Sequence, residues 1–221
     1  MARIVQKRLV RRLDLERALS KVESHPSPNA YLEQYTIPTD IASEILFIAA
    51  YVYDDIVKKE VADLGCGTGK LAIGAALLGA SQVIGIDIDK AAVKIAKKNA
   101  EKLNMKDRIN WVAGDIDVLQ GRFDTVLQNP PFGIQRRNAD RKFLLKALQL
   151  AHKIYSLHKH VKSGDEFLIQ FVKRNCGKHV SIRLMHLVIP RLFSFHSKPK
   201  HDVEVSLHII EGKNSKSLLV S

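Results

Sequence analysis

The sequence predicts an α/β chain: a parallel sheet of seven strands interleaved with helices, with a helical extension at its N-terminus. Three observations predict it. Short apolar runs alternate with helical patterns from about residue 60 onward, as parallel strands joined by right-handed crossovers do. A glycine-rich turn, Asp63-Leu-Gly65-Cys-Gly67-Thr-Gly69, follows the first run and opens a helix. Aspartates stand at three successive strand ends, Asp63, Asp87 and Asp115, where open parallel sheets bind their ligands.

Residues 3–23 carry Val5, Leu9, Leu13, Leu15, Leu19 and Val22 at helical steps, crowded by Arg and Lys. This helix is either a basic flap toward a polyanion or a segment whose cationic stems cover apolar surface. Residues 24–29, with two prolines, form a break. Thr39 or Asp40 can then cap a helix reaching about residue 53. The core reads as strand 61–64, helix 70–78, strand 82–88, helix 90–103, strand 109–113 and strand 123–128. Phe143, Leu144, Ala147, Leu148, Ala151 and Tyr155 share one helical face and predict a long helix over 140–158. The apolar run 166–172 reads as a fifth strand, and 181–189 and 202–210 as two more joined by a basic loop.

An apolar fraction of 46% in 221 residues supports a sizeable core and excludes wholesale disorder. No run approaches the roughly 18 uncharged residues of a membrane span, so a soluble, cytoplasmic protein with no membrane partner is expected. Cys66 and Cys176 are too far apart to form a zinc knuckle and read as ordinary thiols. His158-Lys-His160 has a ligand-like spacing but no third partner; it reads as surface, and no metal site is expected. The 35 Lys and Arg against 23 Asp and Glu give a net charge of +12, which favours a polyanion through phosphate neutralisation.

The glycine turn is ambiguous alone. Gly67-Thr-Gly69-Lys-Leu-Ala72 fits a dinucleotide fingerprint, with Asp87 spaced as a ribose-binding acid. A P-loop fits poorly, because Leu71 follows Lys70 where Ser or Thr is needed. Three carboxylates at strand ends suit a cationic, hydroxyl-rich ligand such as S-adenosylmethionine better than an anionic pyrophosphate. Each aspartate taken alone could be a helix cap.

Asn129-Pro130-Pro131-Phe132 follows the fourth strand. It combines a side-chain amide oxygen, a carbonyl with no competing proline N–H, and a flat ring. Those parts can hold both hydrogens of a planar amine while stacking on its face.

Together, Asp63-Leu-Gly-Cys-Gly-Thr-Gly69, Asp87-Ile-Asp89 and Asn129-Pro-Pro-Phe132 resemble the signature set of Rossmann-like class I methyltransferases acting on adenine N6. Leu32-Glu-Gln-Tyr35, Phe132-Gly133, Tyr155-Ser-Leu-His-Lys159 and Phe195-His196 with Asp202-Val-Glu-Val205 resemble a narrower group. That group is the eukaryotic small-subunit ribosomal RNA N6-adenosine methyltransferase and its archaeal relatives, matched over roughly residues 31–210. At 221 residues the chain suits one domain, 1–221. The resemblance implies a mostly parallel seven-stranded sheet with an antiparallel C-terminal strand, 1–56 holding helices and a cofactor-closing segment and 57–221 the catalytic core. It implies S-adenosylmethionine as cofactor, adenosine N6 in RNA as acceptor, and a small zinc-binding activator subunit at the sheet edge. The cofactor positions are then Gln34, Thr36, Thr39, Asp63, Gly65, Cys66, Gly67, Thr68, Gly69, Lys70, Asp87, Ile88, Asp115, Ile116 and Asn129. Which of Thr36 and Thr39 faces the cofactor stays open, because this chain reads Tyr35-Thr-Ile-Pro-Thr39 where the eukaryotic pattern has proline directly after the tyrosine.

Asn129, Pro130, Pro131 and Phe132 would form the catalytic corner. Arg136, Arg137 and Arg141 just after it, and Lys198 and Lys200 in the last loop, are candidate RNA-phosphate contacts or solvated loops. The same corner also serves methylation of guanine N2 and of protein glutamine, so these remain alternatives. A hydride-transfer enzyme leaves the corner without a role, and a non-catalytic RNA scaffold leaves the intact motifs without one.

Overall fold

Strand β1 (Glu60–Leu64) is exposed at its first residue and buried thereafter, as a central strand covered on both faces must be. It pairs in parallel with β2 (Gln82–Asp87) on one side and β4 (Phe123–Gln128) on the other. β2 pairs in parallel with β3 (Ile109–Ala113), and β4 with β5 (Ala151–Lys159). β7 (Lys200–Glu211) runs antiparallel between β5 and β6 (Lys178–Pro190). The order across this computed structural model is therefore β3-β2-β1-β4-β5-β7-β6, with β7 the reversed strand. The structure describes residues 11–29, 34–131, 139–190 and 200–212.

Helices α3 (Lys70–Leu77) and α4 (Lys90–Lys102) connect β1, β2 and β3. Ahead of the sheet, α1 (Arg12–Leu19) and α2 (Thr39–Phe47) pack together, and α2 continues as a π-helical turn, Ile48–Val52. The expected cap at Thr39 or Asp40 is not formed; Pro38 occupies that place, without a side-chain hydrogen bond. Leu15, Leu19 and Val22 are buried in one cluster with Ile41, Ile45 and Ile73. Arg12 meanwhile pairs with Glu16 at 2.9 Å and Glu44 at 3.5 Å. Exposed pairs of this kind contribute about 0–1 kcal/mol each, so the apolar face rather than the charge docks α1.

Two expected elements are exchanged. The helix expected over 140–158 stops at Leu150 (α5, Ala139–Leu150), and Ala151 begins β5 with no intervening residue. Ala151 and Tyr155 continue the periodic pattern by coincidence. A strand buried on both faces usually announces itself as an apolar run; here Ser156 and His158 interrupt it although both are buried. The run read as a strand over 166–172 is instead helix α6 (Lys162–Arg174), which buries Asp165, Leu168 and Val172 at three- and four-residue steps. His158 and His160 are likewise not a surface pair. His158 is 5% exposed, and His160 Nδ1 lies 2.6 Å from Asp165 Oδ2.

A buried polar row crosses the sheet at β4, β5 and β7. Gln128 Nε2 donates to Ser156 Oγ at 2.8 Å, and the Ser156 hydroxyl lies 2.6 Å from His158 Nε2. Ser206 donates to Asp165 Oδ1 at 2.7 Å, and His208 Nε2 lies 3.1 Å from the same oxygen. Asp165 thus ties α6 to β7.

Candidate active site

A cavity of about 480 Å³ opens at the carboxyl ends of β1, β2, β3 and β4, beside the point where strand order reverses between β1 and β4. Its wall includes Asp63, Gly65, Cys66, Gly67, Thr68 and Lys70 from the glycine turn and helix start. Asp87 and Ile88, Gly114, Asp115 and Ile116, and Asn129 and Pro131 come from the next three strand ends. Gln34, Tyr35, Thr36 and Ile37 close one side, and Lys142 and Phe143 of α5 another. Thr36 lines the cavity and Thr39 does not. Gly69 and Pro130 also lie off the wall.

The glycines divide their work. Gly67 has φ +52°, and a side chain built there meets nothing within 4 Å, so the turn leaves bare backbone facing open space. Gly69 has φ +89°, and its added Cβ would strike the Trp111 ring at 2.6 Å. One glycine makes room for a ligand, the other lets β3 pack under the turn.

Each aspartate is held differently. Asp63 is 1% exposed and accepts from Ala72 N at 2.9 Å, which satisfies the first turn of α3. Burial, reinforced by the nearby Asp87 charge, still pushes its pKa up to about 7. Asp87 accepts from Gly67 N at 2.8 Å and Asp89 N at 2.9 Å, and burial raises its pKa too. A pair of buried acids with raised pKa values favours a ligand that brings positive charge and hydroxyl donors. Asp115 instead meets Lys142 Nζ at 2.6 Å, and this bond holds its carboxyl below the usual range. Lys142 also reaches Asp117 at 2.9 Å.

The segment 34–39 is tied down at both ends. Gln34 Nε2 donates to Asp89 Oδ2 at 2.8 Å, while Asp89 Oδ1 accepts from Ala91 N and caps α4. Lys70 Nζ donates to the Ile37 carbonyl at 2.8 Å and to Thr39 Oγ1 at 3.2 Å. Desolvation lowers the Lys70 pKa to about 8. Between these anchors the Tyr35 hydroxyl donates to Asn129 Oδ1 at 2.8 Å.

The methyltransferase small domain matches residues 37–153, more than half of the chain and all of the strand ends just described. The chain belongs to that family. Among relatives of this methyltransferase, an uncharacterized protein of Methanocaldococcus jannaschii is 39% identical over 92% of this chain and 95% of its own. The rRNA N(6)-adenosine-methyltransferase METTL5 of Danio rerio is 35% identical over 87% of this chain and 94% of its own. A solved structure of the Pyrococcus horikoshii protein PH1948, named as a candidate RNA methyltransferase, superposes with a TM-score of 0.86. It is 37% identical and covers 93% of this chain and 100% of its own.

In this methyltransferase the candidate RNA contacts divide. Phe132, Arg136, Arg137 and Lys198 lie outside the described residues, and Lys200 opens β7 in register with Pro190. Arg141 is exposed on α5, and its guanidinium sits 4.3 Å over the Phe167 ring of α6. Three contributors escaped sequence reading. Lys142 gave no local signal, because its partners Asp115 and Asp117 are distant in the chain. His25, whose Nε2 lies 3.3 Å from Asp89 Oδ2, sits in a segment that reads only as a break. Tyr35 was visible in the Leu32-Glu-Gln-Tyr35 match, but its bond to Asn129 was not.

Proposed function

We propose that this methyltransferase transfers a methyl group from S-adenosylmethionine to the N6 amine of an adenosine in RNA, namely small-subunit ribosomal RNA. The observation that carries the reading is that Asn129 and Pro131 share one cavity wall with Asp63 and Asp87. A planar amine and a cationic cofactor therefore have adjoining places. The near full-length likeness to METTL5 supports adenosine N6 over guanine N2 or protein glutamine.

The residues fit the cofactor. Gly67 leaves backbone open, buried Asp63 suits an ammonium group, Asp87 suits ribose hydroxyls, and Ile88 and Ile116 offer apolar faces to a purine. Bound there, S-adenosylmethionine supplies an electrophilic methyl on a sulfonium. The chain's own part is to hold the acceptor. Asn129 Oδ1 and the Pro130 carbonyl take the two amine hydrogens and favour a pyramidal nitrogen, which is stabilisation aimed at the transition state. Phe132 stacks on the base, worth about 1–3 kcal/mol. The proton leaves after transfer, so no strong general base is needed, and most of the rate comes from positioning. A paired base cannot reach the corner, so the target is unpaired or flipped out.

The sheet's rims, β3 and β6, are the places where a small zinc-binding activator would add a strand. No described helix is long and apolar enough to cross a membrane, and a cytoplasmic site of action accords with a ribosomal RNA substrate. Labelled methyl transfer to RNA, followed by digestion to nucleosides, tests the reading. N6-methyladenosine is expected; N2-methylguanosine, or label in protein, would replace it. Asn129→Ala should keep cofactor binding and lose transfer by about a hundred-fold or more, as removal of one transition-state hydrogen-bond partner does.

A further inference from the structure

We propose that Tyr35 is a positioning residue that fixes the Asn129 carboxamide so that its oxygen, not its nitrogen, meets the acceptor amine. The proposal rests on the reading above and adds a residue that the catalytic corner itself does not contain.

The chemistry of the contact is one-directional. Asn129 Oδ1 cannot donate, so at 2.8 Å the Tyr35 hydroxyl must give its proton to that oxygen. An amide oxygen has two in-plane lone pairs. Tyr35 occupies one, and the other remains for an amine hydrogen. The bond therefore also fixes the plane in which the substrate amine must lie. Without it, a half-turn about the last side-chain torsion exchanges Oδ1 for Nδ2 and sets an N–H donor against an N–H donor. The exchange is nearly isosteric, so packing alone discriminates weakly against it.

Tyr35 is well placed for the task because its own backbone is fixed. Gln34 on one side is held by Asp89, and the Ile37 carbonyl on the other by Lys70. The ring is half-buried against the main apolar cluster. A second donor on one oxygen slightly weakens that oxygen as an acceptor, so any gain from Tyr35 is geometric.

Tyr35→Phe keeps the ring and deletes only the donor. With RNA and labelled cofactor, kcat should fall by about ten- to a hundred-fold, a partial loss of one oriented transition-state hydrogen bond. The dissociation constant for S-adenosylhomocysteine and the thermal midpoint should stay within about two-fold and two degrees of the parent. The decisive arm is the Asn129→Asp background. A carboxylate presents an oxygen in either orientation, so removing the hydroxyl there should cost less than about two-fold. A full penalty in that background, or a loss of S-adenosylhomocysteine affinity matching the loss in kcat, would overturn the proposal. So would Tyr35→Phe turning over as fast as the parent. Failure of the parent protein to form N6-methyladenosine would instead sink the functional reading, and it is scored separately in the same assay.

Discussion

At the scale of single residues, the two glycines of the turn separate stability from ligand binding. Gly69→Ala forces an L-residue to φ +89° and drives its Cβ into Trp111. Strain of that kind costs about 1–3 kcal/mol, to which the clash adds, so a lower thermal midpoint is expected. Gly67→Ala meets no neighbour, and the left-handed backbone alone costs about 1–2 kcal/mol. Its methyl points into open space, so calorimetry should show the larger effect on S-adenosylhomocysteine affinity. Asp63 makes a second separation. A cationic amine favours its ionised form, so affinity should rise with pH through about 7, where the buried carboxyl titrates, and Asp63→Asn should flatten that rise. For the ligand-free protein the sign is opposite. A raised carboxyl pKa contributes stability below its unfolded value and loses it as pH climbs toward 7.

At the scale of elements, the buried row on β4, β5 and β7 predicts how the fold fails in acid. Desolvation holds His158 at about 3 and His208 at about 4, below the ordinary 6.5. The unfolded chain takes up protons that the folded chain refuses. Stability from the neutral rings is therefore complete above pH 6.5 and is lost as pH falls toward 4. Asp165 acts lower: burial opposes its charge, yet bonds from Ser206 and His208 keep its pKa depressed, so its contribution persists until stronger acid. Thermal midpoints measured from pH 7 to 4.5 should fall steeply in the parent and less steeply in His158→Gln. An unchanged slope in that variant would remove His158 from the account.

This row also shows where sequence reading stopped. β1 to β4 were legible because each is a short, mostly apolar run punctuated by glycine and aspartate. β5 was hidden because its buried side chains include Ser156 and His158, which bond to each other and to Gln128 of β4 and so are polar to a local reader. α6 was misread because its apolar residues cluster in sequence, and only the burial of Asp165, Leu168 and Val172 shows the helical face. The site was legible in the same uneven way. Strand-end acids and the Asn-Pro-Pro corner declare themselves locally, whereas the Lys142 and Tyr35 bonds join residues far apart in the chain.

For the whole molecule, the charge of +12 predicts a binding equilibrium governed by salt. Neutralising about five phosphates of single-stranded RNA gives a slope near −3.5 for log affinity against log salt. On α1, Arg12 is already paired with Glu16 and Glu44, so neutralising Arg12 should barely change the slope. Fluorescence anisotropy with a labelled RNA fragment at 50 to 300 mM salt measures it. A slope near zero would divorce the net charge from substrate binding.

The reversed strand β7 has a consequence for biosynthesis. It is the last of the described strands, yet it lies inside the sheet, hydrogen-bonded to β5 on one side and β6 on the other. During translation β6 emerges with no neighbour to pair with, and the gap it must leave stays vacant until residues 200–211 follow. A nascent polypeptide arrested at residue 199 would carry every motif for chemistry and still expose two raw strand flanks. It should be recovered in aggregates or degraded, so frameshifts late in the reading frame ought to be as damaging as those through the glycine turn.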